Sequence, residues 1–543
     1  MKGVVILPLL LGVLYAGPVQ FSGSVSIYGE KSFVSGDDSL IAPVSDLTFS
    51  LNPSVSFWGF PLSLDLLFSS QENNLRQQLN KYRIFLHPKE LLGQMVNLPG
   101  FMFSIHGIEI GTCQPSYSSF TLSGTPVTGG AVELNPWKVY LAGTVGRTQR
   151  AVDASDSTDA AYSRMLYAGK FGYGKKEATH FYFTGLYAKD DPNSLEYNQM
   201  PMPGDTEPPI DSFEVVTPEE NYLLGMELNL FLVDGLLTLE SEVSAIELNR
   251  DTRMPVLDAD WVRRWGLGFL HPRWCSQFDF AYAVRPALNV LDTRIYGEVQ
   301  MVGPGYQSLG APSLRNDNLA YGGGIKRDFL DNQVSASASY TREQDNLIGM
   351  KLSTTYFTSY AVDLGLNFTS LPYLQISYSP YSEYSDSTNS KADVISAGMG
   401  YSFNIGTLSH SPSLSGSYQK YQAASSEGNY TSFDFGLSYS VGFEFPLSVS
   451  ASSGFGQTVY SEETDRTVYF DVSPSYTLFE SWTNSLTLGG SFGGGTRYDV
   501  RLNLSFPVWR VCNASFGLEE CIYSGSDGKY NEFRLTGNLS KNW

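Results

Sequence analysis

The chain has 543 residues, of which 42% are hydrophobic, 14% aromatic and only 17% charged, with 52 Gly, 34 Tyr and 33 Phe. A net charge of −20 excludes nucleic acid as a partner, because a phosphate-binding face is basic. Four cysteines, Cys113, Cys275, Cys512 and Cys521, are too few for a disulfide scaffold of this size and are read as unpaired.

In chain order, Met1 and Lys2 precede an apolar stretch from Val4 to Tyr15 that closes on Ala16 and Gly17. A positive start, a short apolar core and a small residue predict a secretory signal peptide over 1–16. Spanning a bilayer as a helix takes about 20 apolar residues, and no segment reaches that length. A transmembrane-helix protein is excluded. The remainder, 17–543, reads as one unit, since no linker-like shift in composition interrupts it. Gly, Ser and Tyr enrichment with a mean hydropathy of −0.15 suits a wall with one lipid face and one wet face.

The amino-terminal half alternates apolar and polar residues in Val19–Ile27, Leu47–Trp58, Leu62–Phe68, Phe101–Ile110, Gly129–Leu134, Trp137–Thr148, Tyr162–Tyr173, His180–Ala188, Tyr222–Phe231, Leu236–Ile246, Trp265–Leu270, Phe278–Val284 and Arg294–Val302. Successive strand side chains point to opposite faces, so each run predicts a strand with two unlike sides. Excursions break the pattern at 71–98, 111–128 and 190–221, and all three are expected to be loops or partial fillings of a lumen. The first contains a short helix around Pro88–Met95, with Pro at its first turn. The third carries six prolines, Pro192, Pro201, Pro203, Pro208, Pro209 and Pro218, and is expected to lie in an extracellular loop or the mouth.

Oxygen-bearing side chains crowd at Asp190, Asp191, Asn193 and Glu196 and again at Asp251, Asp258 and Asp260. Neither group follows a known calcium-loop pattern, so both are expected to be solvated loops and no cofactor is expected, with a loop-bound Ca²⁺ ion as the alternative reading. Arginines gather at Arg147, Arg150 and Arg164, and at Arg250, Arg253, Arg263 and Arg264. Such groups brace a constriction and set selectivity, or form rim salt bridges and lipopolysaccharide contacts; both readings stay open.

Several stretches of this half resemble a family of large, uncharacterised outer-membrane β-barrel proteins of Bacteroidota and related lineages. They are NPSVSFWGFPLSLDLLFSSQ, FTLSG followed by GGAVELNPWKVYLAGTVGRTQRAV, YSRMLYAGKFGYG, DDPNS, TPEENYLLGMEL and ELNRDTR, in order over roughly 45–255. Where that family tends to carry a Gly-His pair this chain has Gly124-Thr125, so no role is carried to that position. The resemblance implies an outer-membrane barrel and no established activity.

The carboxy-terminal half is almost uninterrupted hairpins: Val334–Tyr340, Tyr360–Phe368, Leu374–Tyr378, Ile395–Ile405, 431–443, Leu447–Phe455, Val468–Leu478, Leu486–Phe492 and 497–508. Turns are marked by Asp331-Asn332, Phe445-Pro446 and Asp527-Gly528. The fold expected is all-β: one large transmembrane antiparallel barrel of about 26 strands, within 22 to 28. Polar rows bearing Asp434, Asp471, Arg497, Asp499 and Arg501, with Arg147 and Arg150 from the other half, are expected to line a lumen and set its selectivity.

The last strand decides the location. Phe533, Leu535, Gly537, Leu539 and Trp543 form one apolar or small row, interrupted near its end by Lys541, and Glu532, Arg534, Thr536, Asn538, Ser540 and Asn542 a polar one. A terminal aromatic on such a strand resembles the assembly signal of bacterial outer-membrane barrels, so Phe533, Leu535, Leu539 and Trp543 are assigned that role. The bacterial outer membrane is therefore the expected location. The expected partners are its lipids and lipopolysaccharide, the barrel-assembly machinery, and surface or periplasmic proteins. No HExxH pair, nucleophile elbow or phosphate-binding loop is present, and His106 alternating with Glu109 is read as a lumen histidine. No enzyme is expected. Strand-like sequence begins at Val19, which leaves no place for the plug of an energised receptor. The function expected is a passive or gated channel for small polar solutes, with a non-transport scaffold as the alternative.

Overall fold

The computed structural model describes the chain from Val19 to Trp543, chiefly excepting 37–43, 72–75, 87–103, 154–158, 196–215, 258–263 and 265–269, with some shorter stretches and single loop residues. It is one antiparallel sheet of 28 strand segments. The first nine are β1 (Val19–Gly36), β2 (Ser45–Phe57), β3 (Phe60–Ser69), β4 (Lys81–Leu86), β5 (Ile105–Cys113), β6 (Val127–Leu134), β7 (Val139–Gln149), β8 (Arg164–Gly174) and β9 (His180–Asp190). Then follow β10 (Glu220–Leu232), β11 (Leu237–Asn249), β12 (Ser276–Val290), β13 (Thr293–Val302), β14 (Asn318–Phe329), β15 (Val334–Gln344), β16 (Tyr356–Leu366), β17 (Tyr373–Tyr378), β18 (Tyr381–Tyr384), β19 (Asn389–Gly400) and β20 (Phe403–Ile405). The series ends with β21 (Leu408–Gln422), β22 (Tyr430–Gly442), β23 (Leu447–Tyr460), β24 (Thr464–Leu478), β25 (Trp482–Phe492), β26 (Gly495–Val508), β27 (Cys512–Gly525) and β28 (Gly528–Asn542).

β17 and β18 succeed one another between β16 and β19, and β20 extends the line of β19 along β21. Twenty-six strands therefore close the barrel, β28 returning to β1 in the register Ser24↔Asn542 to Gly36↔Tyr530. Closure joins the first and last strands so that neither is left as a free sheet edge, the condition for crossing a bilayer with strands. A circular section of this strand number would be ~50 Å across, from the strand spacing and a typical tilt.

The alternation read from sequence becomes two surfaces. Phe433, Phe435, Leu437 and Tyr439 point outward and are exposed, as are Val468, Phe470 and Val472 on β24 and Phe533, Leu535 and Leu539 on β28. At the end of the barrel that holds β1's start and Trp543, outward aromatics form a band. Phe479, Trp482, Phe506 and Phe516 follow one another at ring distances of 5.3–6.4 Å. Tyr401, Phe403, His410 and Tyr439 continue it at 5.2–6.0 Å. Amphipathic rings at the headgroup level are what a membrane interface selects.

Most connections at that end are short, the one between β4 and β5 (87–104) being the long exception. In the turn after β14, Leu330, Asp331 and Asn332 have φ of 51°, 52° and 66°, a left-handed conformation that Asp and Asn tolerate best. The opposite end carries the longer connections 114–126, 150–163, 191–219, 250–275 and 303–317.

Some boundaries differ from expectation. Segment 71–98 is not all loop: β4 lies inside it, paired with β3 and β5. Its Lys-Tyr-Arg-Ile-Phe-Leu alternation is too brief to stand out from sequence. The expected loop 111–128 shortens to 114–126, because β5 and β6 pair out to Cys113↔Val127. The helix expected near 88–95, most of the strand expected at 265–270, most of 190–221 and the signal peptide over 1–16 lie outside the described residues. All four cysteines are free, and Cys512 and Cys521 sit on opposite faces of β27.

Candidate functional site: the barrel interior

Two loops fold inward against the inner wall of β7 to β13. Phe120, Leu122, Tyr306 and Leu309 from the loops pack with Leu166, Leu186, Leu223, Ile246, Leu248, Ala281 and Val302 from the strands. Each large side chain so buried contributes roughly 1.5–3 kcal/mol. Hydrogen bonds lock the loops to each other. The Tyr306 hydroxyl lies 2.9 Å from both the Phe120 carbonyl and Ser244 Oγ, Ser308 Oγ donates to Thr121 O at 2.6 Å, and Thr125 Oγ1 donates to Gly310 O at 2.8 Å. The wall holds them too: Leu309 N donates to Asn221 Oδ1, and Phe120 N and Ser119 Oγ donate to Glu242. Burial pushes the Tyr117 phenol up to about 12, although its bond with Thr144 opposes the shift.

A charged group anchors the first loop. Lys170 is buried, donates to Tyr117 O at 2.6 Å and to Glu227 at 2.7 Å, and lies 5.1 Å from the Tyr182 ring centroid. His180 holds the other oxygen of Glu227 at 2.7 Å. Arg164 bridges Asp190 and Glu219 at the long-loop end, with distances of 2.7–2.9 Å.

Facing this covered sector, the inner rows of β14 to β28 and β1 are polar. Asp434 takes Ser417 and Ser432 hydroxyls, Asp471 takes Ser452, and Asp499 is gripped by Arg497 at 2.8–3.0 Å. Arg501 donates to Glu519 at 2.7 Å, while Arg534 joins Glu532 at 2.9 Å and Glu30 at 3.5 Å. On β22 to β28 and β1 these rows carry Glu30, Asp434, Asp465, Asp471, Asp499, Glu519 and Glu532 against Arg497, Arg501 and Arg534. Nearer the long-loop end, the inner row holds Phe357 and Tyr381 at 5.8 Å, Tyr421 and Tyr430 at 5.2 Å, and Tyr430 and Tyr460 at 6.1 Å.

Thus Asp434, Asp471, Arg497, Asp499 and Arg501 stand on the inward rows of one stretch of wall. Arg147 does not join them. It stands on the outward row of β7 with Leu141 and Val145, at the rim, because alternation from the buried Tyr140 and Thr144 places odd positions outside. With Arg150, Arg76 and Lys81 it lines a rim recess of about 810 Å³. The two loop-calcium groups are differently engaged: Asp190 is taken by Arg164 and Asp251 by Arg253 at 2.9–3.0 Å, while Glu196, Asp258 and Asp260 lie outside the described residues. His106 faces Glu133 at 3.4 Å, and Glu109 faces Arg83 at 2.7 Å. Sequence reading missed 303–317 altogether. Its signal was there: Tyr306, Leu309 and Leu314 are apolar residues in a Gly/Pro-rich segment that forms no strand.

No family model and no curated protein matches the chain. Solved structures match at the level of the fold. A chain of the E. coli P pilus tip assembly intermediate PapC-PapD-PapK-PapG is 11% identical, with 95% of this chain and 60% of that one covered and a TM-score of 0.46. The present chain thus spans about 60% of the length of that match. A BenF-like porin of Pseudomonas fluorescens is 10% identical over 60% of this chain and 92% of its own, with a TM-score of 0.30. Acinetobacter baumannii OccAB4 is 9% identical over 75% and 96%, with a TM-score of 0.29.

Proposed function

We propose that the protein is an outer-membrane channel for small polar solutes, narrowed on one side by its own inward-folded loops. One observation carries this reading: the inner wall is packed with apolar loop residues over β7 to β13 and lined by polar Ser, Asn, Asp and Arg rows over β14 to β28. A scaffold has no use for a polar, charge-bearing inner face that, among the described residues, is left uncovered across half of its wall. The short-turn end, with Trp543, lies at the periplasm and the long-loop end faces outward, the usual arrangement of such barrels.

The excess of carboxylates over arginines on the open wall lowers the potential for cations, and pairing of Asp499, Glu519 and Glu532 keeps the preference modest. Purified protein in a planar bilayer is expected to give salt-dependent, weakly cation-preferring conductance. Removing 114–126 enlarges it. Segment 71–98 is unsuited to this test, because it contains β4. Silent bilayers with both proteins, after verified insertion, would establish the scaffold reading instead.

A further inference from the structure

The outer wall of β5 to β12 holds a groove of about 1150 Å³. Its floor is a row of paired glycines, Gly143↔Gly169 and Gly169↔Gly185, on the outward face of β7, β8 and β9. One row toward the long-loop end, Tyr167, Tyr187 and Tyr222 form a wall, with ring centroids 6.2 and 4.8 Å apart. One row the other way, outside the groove's lining, Phe171 and Phe183 stack at 5.5 Å. The glycines are not required by a close approach of backbone. A Cβ at Gly185 would meet nothing within 4 Å, and at Gly143 and Gly169 the nearest atoms lie at 3.7 and 3.8 Å. The trough is therefore space left free beside the tyrosine wall on the outward surface.

A polar group ends the tyrosine wall. Glu247 is Tyr222's register partner on β11, lies on the same outward row and lines the groove. Its side chain is 2% exposed. Ser276 reaches Oε1 at 3.4 Å, whereas Oε2 has no hydrogen-bond partner among the described residues. The neighbouring Glu220 contrasts with it, taking Tyr187, Tyr222 and Asn249 as donors at 2.8–3.3 Å. Arg273 acts on this carboxylate through its charge but leaves Oε2 without a hydrogen bond, and a donor from outside the chain relieves the cost of that unpaired acceptor. Glu247 is two residues from the end of its strand, ~7 Å below the strand end, which is headgroup depth. The glycine floor lies one row deeper, among the lipid chains.

We propose that this groove binds one membrane amphiphile, its chain lying along Gly143, Gly169 and Gly185 and its primary ammonium headgroup donating to Glu247. The carboxylate selects a cationic donor, and the glycine floor beside the tyrosine wall selects an alkyl chain. The inference rests on the outer rows facing lipid, not on the lumen conducting.

Native mass spectrometry of the barrel released from nanodiscs containing equal phosphatidylethanolamine and phosphatidylcholine of the same chains tests it. These lipids carry the same charge and differ in N–H donors. Insertion is checked first by heat-modifiable migration, so a failed barrel is distinguished from an empty groove. Wild type is expected to retain phosphatidylethanolamine about tenfold over phosphatidylcholine, the ratio given by one charge-assisted hydrogen bond. Glu247→Gln brings the ratio toward one with lipid still bound, and Gly169→Leu with Gly185→Leu abolishes retention of both. Equal retention by wild type, or an unchanged ratio in Glu247→Gln, overturns the proposal.

Discussion

Trp543 closes the barrel through three contacts at once. Its ring stacks on Phe21 at 5.5 Å, its N–H donates to Gly23 O, and Gly23 N donates to its carbonyl, both at 3.1 Å. Deleting it removes the last rung of the β1–β28 seam and the terminal aromatic expected to act as the assembly signal. The expected outcome is exported but uninserted protein, seen as loss of heat-modifiable migration. Leu535→Arg puts a charge on the outward row of the same strand, at a cost of ~2–4 kcal/mol near the bilayer midplane. It is expected to lower the denaturant midpoint of refolding into vesicles, whereas Thr536→Arg on the inner row leaves it nearly unchanged.

Lys170 works on the inside in a comparable way. Lys170→Met strands the Tyr117 carbonyl and frees one oxygen of Glu227, a loss of about 1–3 kcal/mol. Since those bonds tie loop 114–126 to the wall, added protease is expected to cut the variant in that loop while the strands stay protected. An unaltered digestion pattern would mean that the apolar contacts of Phe120 and Leu122 hold the loop alone.

Among the elements, the pair of inward loops decides how much of the lumen is open, and a salt-bridge latch fastens the second of them. Lys351 Nζ lies 2.6 Å from Asp317 and 2.9 Å from Asp345, joining the end of 303–317 to the connection between β15 and β16. Burial alone would raise the Asp317 carboxyl. Lys351 and the N–H groups of Leu347 and Asn346 outweigh it and hold that carboxyl below its ordinary value. Asp345 is likewise lowered, by Thr355 N and Lys351 against burial. A carboxyl lowered in the folded state stabilises it above the unfolded value, near pH 4, and the contribution is lost as pH falls through the lowered values. Conductance is therefore expected to become noisier below about pH 4, with Lys351→Met showing the same noise at neutral pH. A Lys351→Met record as quiet as wild type would assign the acid effect to other carboxylates.

Across the whole molecule, the strands make two half-walls of unlike character on one closed cylinder. The open half carries Asp434 and Asp471, whose partners are serine hydroxyls rather than arginines. Replacing both by Lys is expected to shift the reversal potential in a salt gradient from cation toward anion preference, with insertion intact. No shift would mean that ions pass elsewhere, along the covered half or between the loops.

The barrel itself was legible because its signals are local. A period of two, polar rows of Ser, Gly, Asn and Asp, and a terminal strand ending on Trp543 each bear on neighbouring residues, and one-residue slips would turn every outward Phe inward. The inner position of Asp434, Asp471, Arg497, Asp499 and Arg501 followed from the same parity. Parity also places Arg147 outside, but reading it needed Tyr140 and Thr144 known to be buried. What only the tertiary structure decided depends on contacts far apart in the chain. Phe120 meets Tyr306 across 186 residues, Glu247 ends a groove whose floor comes from three other strands, and β4 counts as a strand only because β3 and β5 flank it. Loop apolar residues such as Tyr306 and Leu309 carry no period, so their inward burial is fixed by the wall they meet and not by their own sequence.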